Sequence, residues 1–123
     1  MDAGDVSSLL PIEILFLSEL RVQICRNGKR METLNFAEFG FEDARSGNPD
    51  RAWETLVILA KERGIIREGR TVGDRWAKVE KRMQKIRKVL REYFEIPDDP
   101  IPFVEGTGYQ AAFKIRCAPS FSA

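Results

Sequence analysis

Histidine is absent from all 123 residues. Imidazole is the usual base for activating a serine or cysteine and the commonest zinc ligand, so Ser-His-Asp, Cys-His and H-E-x-x-H chemistries are excluded. Cysteine is scarce. Cys25 and Cys117 stand far apart with no C-x-x-C spacing, which excludes a thiolate zinc knuckle and argues for two ordinary thiols over a disulfide framework. Long apolar runs are also missing: the stretch from Leu9 to Leu17 is broken by Pro11 and Glu13, well short of the ~20 residues a bilayer crossing needs. The Met1-Asp2-Ala3-Gly4-Asp5 start has neither the positive region nor the cleavage site of a secretory signal, so a cytoplasmic location is the expectation. The fragment Asn27-Gly28-Lys29 has no partner glycine at the G-x-x-x-x-G-K spacing and reads as a turn. No enzyme and no cofactor is expected.

With 43% hydrophobic and 32% charged residues, the composition suits one globular domain. It is placed at 11–117, between a flexible N-terminus at 1–10 and a flexible C-terminus at 118–123. Net charge is only +1, yet residues 61–92 hold twelve Lys or Arg against five Asp or Glu, so the rest of the chain is acidic. A basic block in a neutral protein fits a nucleic-acid face, and a solvated charged helix gives much the same count.

Leu20, Val22 and Ile24 alternate with polar neighbours, Asn27-Gly28 supplies a turn, and Met31 to Phe41 continues with β-type residues, which predicts a hairpin. Ile12, Ile14 and Phe16 also alternate, as an edge strand or a segment that docks on a partner. A helix is predicted over 49–63, with Asn48 as N-cap, Pro49 at the first helical position, Trp53, Leu56, Val57 and Ala60 as its buried stripe, and Gly64 as its C′ stop. Trp76, Val79, Met83, Ile86, Leu90 and Phe94 then fall on one arc of a longer helix within 71–94 at ~100° per residue. Arg75, Lys78, Lys81, Arg82, Lys85 and Lys88 cluster opposite that arc, with only Glu80 nearby, while Arg87 and Arg91 lie elsewhere. Unpaired like charges at these spacings oppose helix formation, so their retention points to a polyanion.

Pro97, Pro100 and Pro102 end the helix. The acidic residues between them, Glu95, Asp98 and Asp99, read as solvated turn positions, and no metal is assigned. Phe103-Val104, the Gly106-Thr107-Gly108 turn and Tyr109 to Ile115 predict a second hairpin. Trp53, Trp76 and Tyr109 are expected in the core.

The run Val79-Glu80-Lys81-Arg82-Met83-Gln84-Lys85-Ile86-Arg87-Lys88-Val89-Leu90, followed by Ile101-Pro102-Phe103-Val104-Glu105-Gly106-Thr107-Gly108-Tyr109, resembles the C-terminal half of the winged-helix effector domain of two-component response regulators. The resemblance implies an α+β, winged-helix-like fold with an N-terminal hairpin or small antiparallel sheet, two main helices and a C-terminal hairpin wing. It also implies a helix laid in the DNA major groove. By position, Lys78, Lys81, Arg82 and Lys85 would face DNA, Gly106, Thr107 and Gly108 would form the wing, and Lys114 and Arg116 would lie beside it. The chain departs from the family in three ways. Only Ile65 to Lys78 separate Gly64 from Val79, Glu105 stands where a wing cation is common, and no receiver domain is recognised.

The leading expectation is a small DNA-binding protein, as a transcriptional regulator, with double-stranded DNA as partner and a homodimer to extend the contacted site. The alternative is a protein-interaction module on the same scaffold, its basic helix meeting an acidic partner. RNA binding is a third, weaker reading, because the aromatics fall at core spacing and offer no stacking platform.

Overall fold

A computed structural model describes residues 11–68, 76–119 and 121. The expected flexible N-terminus, residues 71–75 of the expected long helix and the candidate Arg75 lie outside the described residues. The architecture is mixed α+β. Among the described residues a four-stranded sheet and a three-stranded sheet share one core with three helices.

Strands β1 (Ile12–Ser18), β2 (Arg21–Arg26) and β3 (Lys29–Asn35) form an antiparallel meander. Its second turn is Asn27-Gly28, both at positive φ (56° and 79°), as a two-residue hairpin with right-handed strand twist requires. Alternation works as the pattern predicts, for Ile12, Ile14, Phe16, Val22 and Ile24 all point inward and are buried. Leu20 is the exception: it sits in the turn ahead of β2 and stays exposed.

The strands differ from the expected ones in three places. First, β1 is interior to its sheet, lying between β2 and β7 (Lys114–Cys117), so it is neither an edge nor a free docking segment. Second, the chain after Asn35 is helical: Asn35 Oδ1 accepts from the Glu38 N–H at 2.8 Å and Glu38 Oε1 accepts from the Asn35 N–H at 2.9 Å. This capping box starts α1 (Phe36–Phe39) and ends the strand. Third, the expected strand from Tyr109 to Ile115 is split between two sheets. β5 (Phe103–Val104) and β6 (Gly108–Gln110) form the hairpin, β4 (Ile65–Arg67) completes its sheet, and β7 crosses to pair parallel with β1. The four-stranded sheet is therefore mixed, where a purely antiparallel one was expected.

Helix α2 spans Arg51–Lys61. Its N-cap is Asp50, whose carboxylate accepts from the Trp53 N–H at 2.8 Å, and the expected Asn48 cap lies two residues too early. Asn48 is instead used in the preceding loop, its carbonyl accepting from the Asp43 N–H. At the other end Arg63 adopts the left-handed conformation (φ 58°) and Gly64 N–H bonds to the Leu59 carbonyl at 2.8 Å. This is a Schellman turn with Arg63 at C′ and Gly64 one residue beyond.

Helix α3 (Trp76–Phe94) buries Val79, Met83, Ile86, Leu90 and Phe94, five of the six residues of the predicted arc. Its last turn closes the same way, with Glu95 at φ 56° and the Ile96 N–H bonded to the Arg91 carbonyl at 3.1 Å. Trp76 is half-buried and stacks on Tyr109, ring centroids 5.7 Å apart, which fastens the start of α3 to the three-stranded sheet. Packing also continues past the expected boundary at 117: the Ala118 N–H bonds to the Phe16 carbonyl, and Phe121 packs edge-on against the Phe16 ring.

Candidate nucleic-acid interface

Once α3 turns its apolar arc to the core, the helix wheel forces the opposite residues into solvent. Lys78, Lys81, Gln84, Lys85 and Lys88 are all exposed there, and Glu92 closes the run toward the C-terminal end. Arg82 is half-buried on the flank that meets the start of α2, where it lines a shallow groove with Asp50, Arg51 and Lys81.

The cations are not equivalent. Lys85 donates to the Asp50 carboxylate, the group that also caps α2, and its ammonium lies 5.9 Å from the centre of the Phe41 ring. It is committed in part to holding α3 against α2. Lys81 and Lys88 make no ion pair with any described residue and lie on either side of Lys85 along the exposed face. Arg87 points the other way and forms a two-pronged pair with Asp99, at 3.1 and 2.8 Å. Asp99 additionally accepts from the Ile101 N–H, so this carboxylate clips the proline-rich segment to α3. Among the described residues no group of three or more His, Cys, Asp or Glu side chains is placed to hold a metal ion.

The hairpin β5–β6 presents Glu105 and Gly106 at its exposed tip, Gly106 in a left-handed conformation (φ 84°) with open space around it. Thr107 is engaged through its backbone: its N–H bonds to the Val104 carbonyl and its carbonyl accepts from the Glu68 N–H, both at 2.9 Å. Lys114 does not belong to this hairpin. It lies on β7 opposite Glu13, and Arg116 on the same strand pairs with the Glu13 carboxylate at 2.7 Å, so neither stands beside the hairpin tip. The expectation failed because the chain breaks out of the hairpin at Ala111-Ala112, whose N–H groups are taken by Gly64 and Pro100 carbonyls.

Two residues escaped the sequence reading. Gln84 is uncharged, so a search for cations passes over it, yet it is exposed between Lys81 and Lys88 and its amide can donate and accept at once. Arg67 ends β4, exposed and in register with Gly108, and it puts a cation next to the hairpin that carries Glu105. A three-residue strand directly after a helix has too little pattern to be recognised in advance.

Burial raises the pKa of the Tyr109 phenol, with Glu80 and Asp99 adding to the effect and Arg87 opposing it. Burial likewise raises the Cys117 thiol, and Lys61 pulls it back. Both groups hold their proton in the folded chain at pH values where the unfolded chain has begun to lose it. The stability they contribute is thus whole below the ordinary thiol value of 9.0 and falls as pH rises through the folded pKa values. Urea midpoints are expected to be lower at about pH 10.5 than at about pH 8, and Cys117→Ser should remove part of that drop. A drop left unchanged by that substitution would contradict the assignment of the thiol.

No family model matches the chain, and neither a curated protein nor a solved structure does. No helix among the described residues is long and apolar enough to cross a membrane.

Proposed function

We propose that this chain is a small DNA-binding protein of winged-helix type, which lays the exposed face of α3 in the major groove. The single observation that carries the reading is the pair of exposed lysines, Lys81 and Lys88, that no described carboxylate neutralises on a helix whose other side is locked into the core. Two turns of such a helix can place ammonium groups against phosphates on both walls of a groove. Lys78, Arg82 and the half-neutralised Lys85 extend the contact, and Gln84 at its centre has the donor and acceptor pair that an adenine edge accepts. The β5–β6 hairpin, with Arg67 beside it and Thr107 near its tip, takes the place of a wing against the adjacent backbone. One helix spans few base pairs, so a homodimer on two half-sites would supply the specificity a transcriptional regulator needs.

Fluorescence anisotropy of a labelled duplex across a salt series tests this. Log affinity should fall steeply with log salt, and Lys81→Ala or Lys88→Ala should each shrink the slope by about one unit. A slope that neither substitution moves sinks the proposal.

A second reading has specific support in the Lys85–Asp50 pair and in Glu105 at the hairpin tip, both of which lower the positive potential. On that reading the same scaffold is a protein-interaction module whose α3 meets an acidic partner. Its signature is a duplex affinity that is weak at every salt concentration.

A further inference from the structure

A second cationic surface lies away from the exposed face of α3, where the C-terminal end of α2 meets the outer edge of β7. Lys61, Arg63 and Lys114 ring a groove there together with Arg116, whose guanidinium is shared with Glu13 at 2.7 Å, and among the described residues no carboxylate lines the groove itself. Its floor is apolar, made by Phe113, Ile115 and Phe121, and the Lys61 ammonium rests 5.4 Å from the centre of the Phe121 ring. All of Phe113 to Cys117 contribute, because among the described residues β7 ends its sheet and has a neighbour on one side only.

The backbone of β7 has a definite polarity. The Ala118 N–H bonds to the Phe16 carbonyl, and the parallel register sets Arg116 opposite Leu15 and Lys114 opposite Glu13. In a parallel ladder alternate residues of a strand direct both N–H and C=O to the same neighbour, so with the Ala118 N–H turned to β1, Arg116 and Lys114 bond to β1 as well. The N–H and C=O groups of Ile115 and Cys117 then point away from the sheet, into the groove. An added strand would find those groups in the plane of the sheet. On one face it would meet the side chains of Lys114 and Arg116, and on the other Ile115 and Phe121.

We infer that this groove receives an extended segment of a partner protein in which acidic and apolar residues alternate, added as a fifth strand on β7. Alternation follows from the two faces: carboxylates meet Lys114, with the Arg116 guanidinium that Glu13 already half-neutralises beside it, and apolar side chains fill the space against Phe121 and Phe113. Self-association through the same edge is opposed, because antiparallel pairing of two β7 strands sets Lys114 against the Arg116 of the other copy. The inference is independent of DNA binding, since it uses none of the residues on α3.

The probe is a fluorescein-labelled peptide of about seven residues alternating glutamate with valine, with a lysine–valine peptide as control. Saturable binding is expected for the first peptide only, weakened about ten-fold by the Lys61→Glu, Lys114→Glu double variant and unchanged by Lys81→Glu. Hydrogen exchange on the intact chain should show the Ile115 and Cys117 amides newly protected by the peptide, a readout that charge attraction alone does not move. Equal binding of both peptides, loss of binding in Lys81→Glu, or no protection at those two amides overturns the inference. Circular dichroism of the double variant separates a lost site from a lost fold.

Discussion

Replacing Trp53 with alanine is expected to remove about 3 to 5 kcal/mol of stability, roughly a third of what a domain of this size has. Trp53 is 1% exposed and stands at the junction of three parts of the molecule. Its ring lies 5.1 Å from Phe16 on β1, 6.3 Å from Phe36 on α1 and 5.6 Å from Phe41 in the loop beyond, while its indole N–H donates to the Glu19 carbonyl at 2.8 Å. Truncation would leave a cavity lined by three aromatic rings that are anchored in different elements and cannot all close on it. It would also leave that carbonyl without its donor. The melting temperature should drop by about 15 °C. Trp53→Phe keeps much of the ring contact and loses the N–H, so its cost should fall between wild type and alanine. A loss below about 1 kcal/mol for the alanine variant would show that the aromatic cluster is not the centre of the fold.

Trp53 was legible in advance because its reason for burial is local: it shares a helical stripe with Leu56 and Ala60. The same holds for the arc of α3, since a 19-residue amphipathic helix states its inner face many times over. The Asn27-Gly28 turn is local as well. What stayed hidden depends on distant partners. Nothing near Ile65-Ile66-Arg67 signals a strand, because the residues that make it one are Gly108 to Gln110. Nothing near Lys114 shows that its strand leaves the hairpin, because its partner is Glu13 at the other end of the chain. The candidate interface divides along the same line. Which cations face solvent follows from periodicity, whereas the capture of Lys85 by Asp50 needs two helices brought side by side.

Gly108 shows how a hidden strand changes the meaning of a residue. Taken with Gly106 as part of a turn, it needs only a permissive backbone. Its φ of 133° lies where side chains are rarely tolerated, and β4 runs directly across it: a Cβ at this position would stand 2.2 Å from the Ile66 carbonyl oxygen and 2.5 Å from the Glu68 nitrogen. Those atoms are backbone, so no side chain can swing away to make room. Gly108→Ala must therefore separate β4 from β6 or twist the hairpin out of register, and about 3 kcal/mol or more of stability should be lost through strain and overpacking together. Gly106→Ala, at the open tip, carries only the cost of its left-handed φ and should lose about 1 kcal/mol. Urea denaturation of the two variants measures the contrast. Equal losses would mean that β4 does not lie against Gly108, and the three-stranded sheet that holds Arg67 beside the hairpin would have to be redrawn.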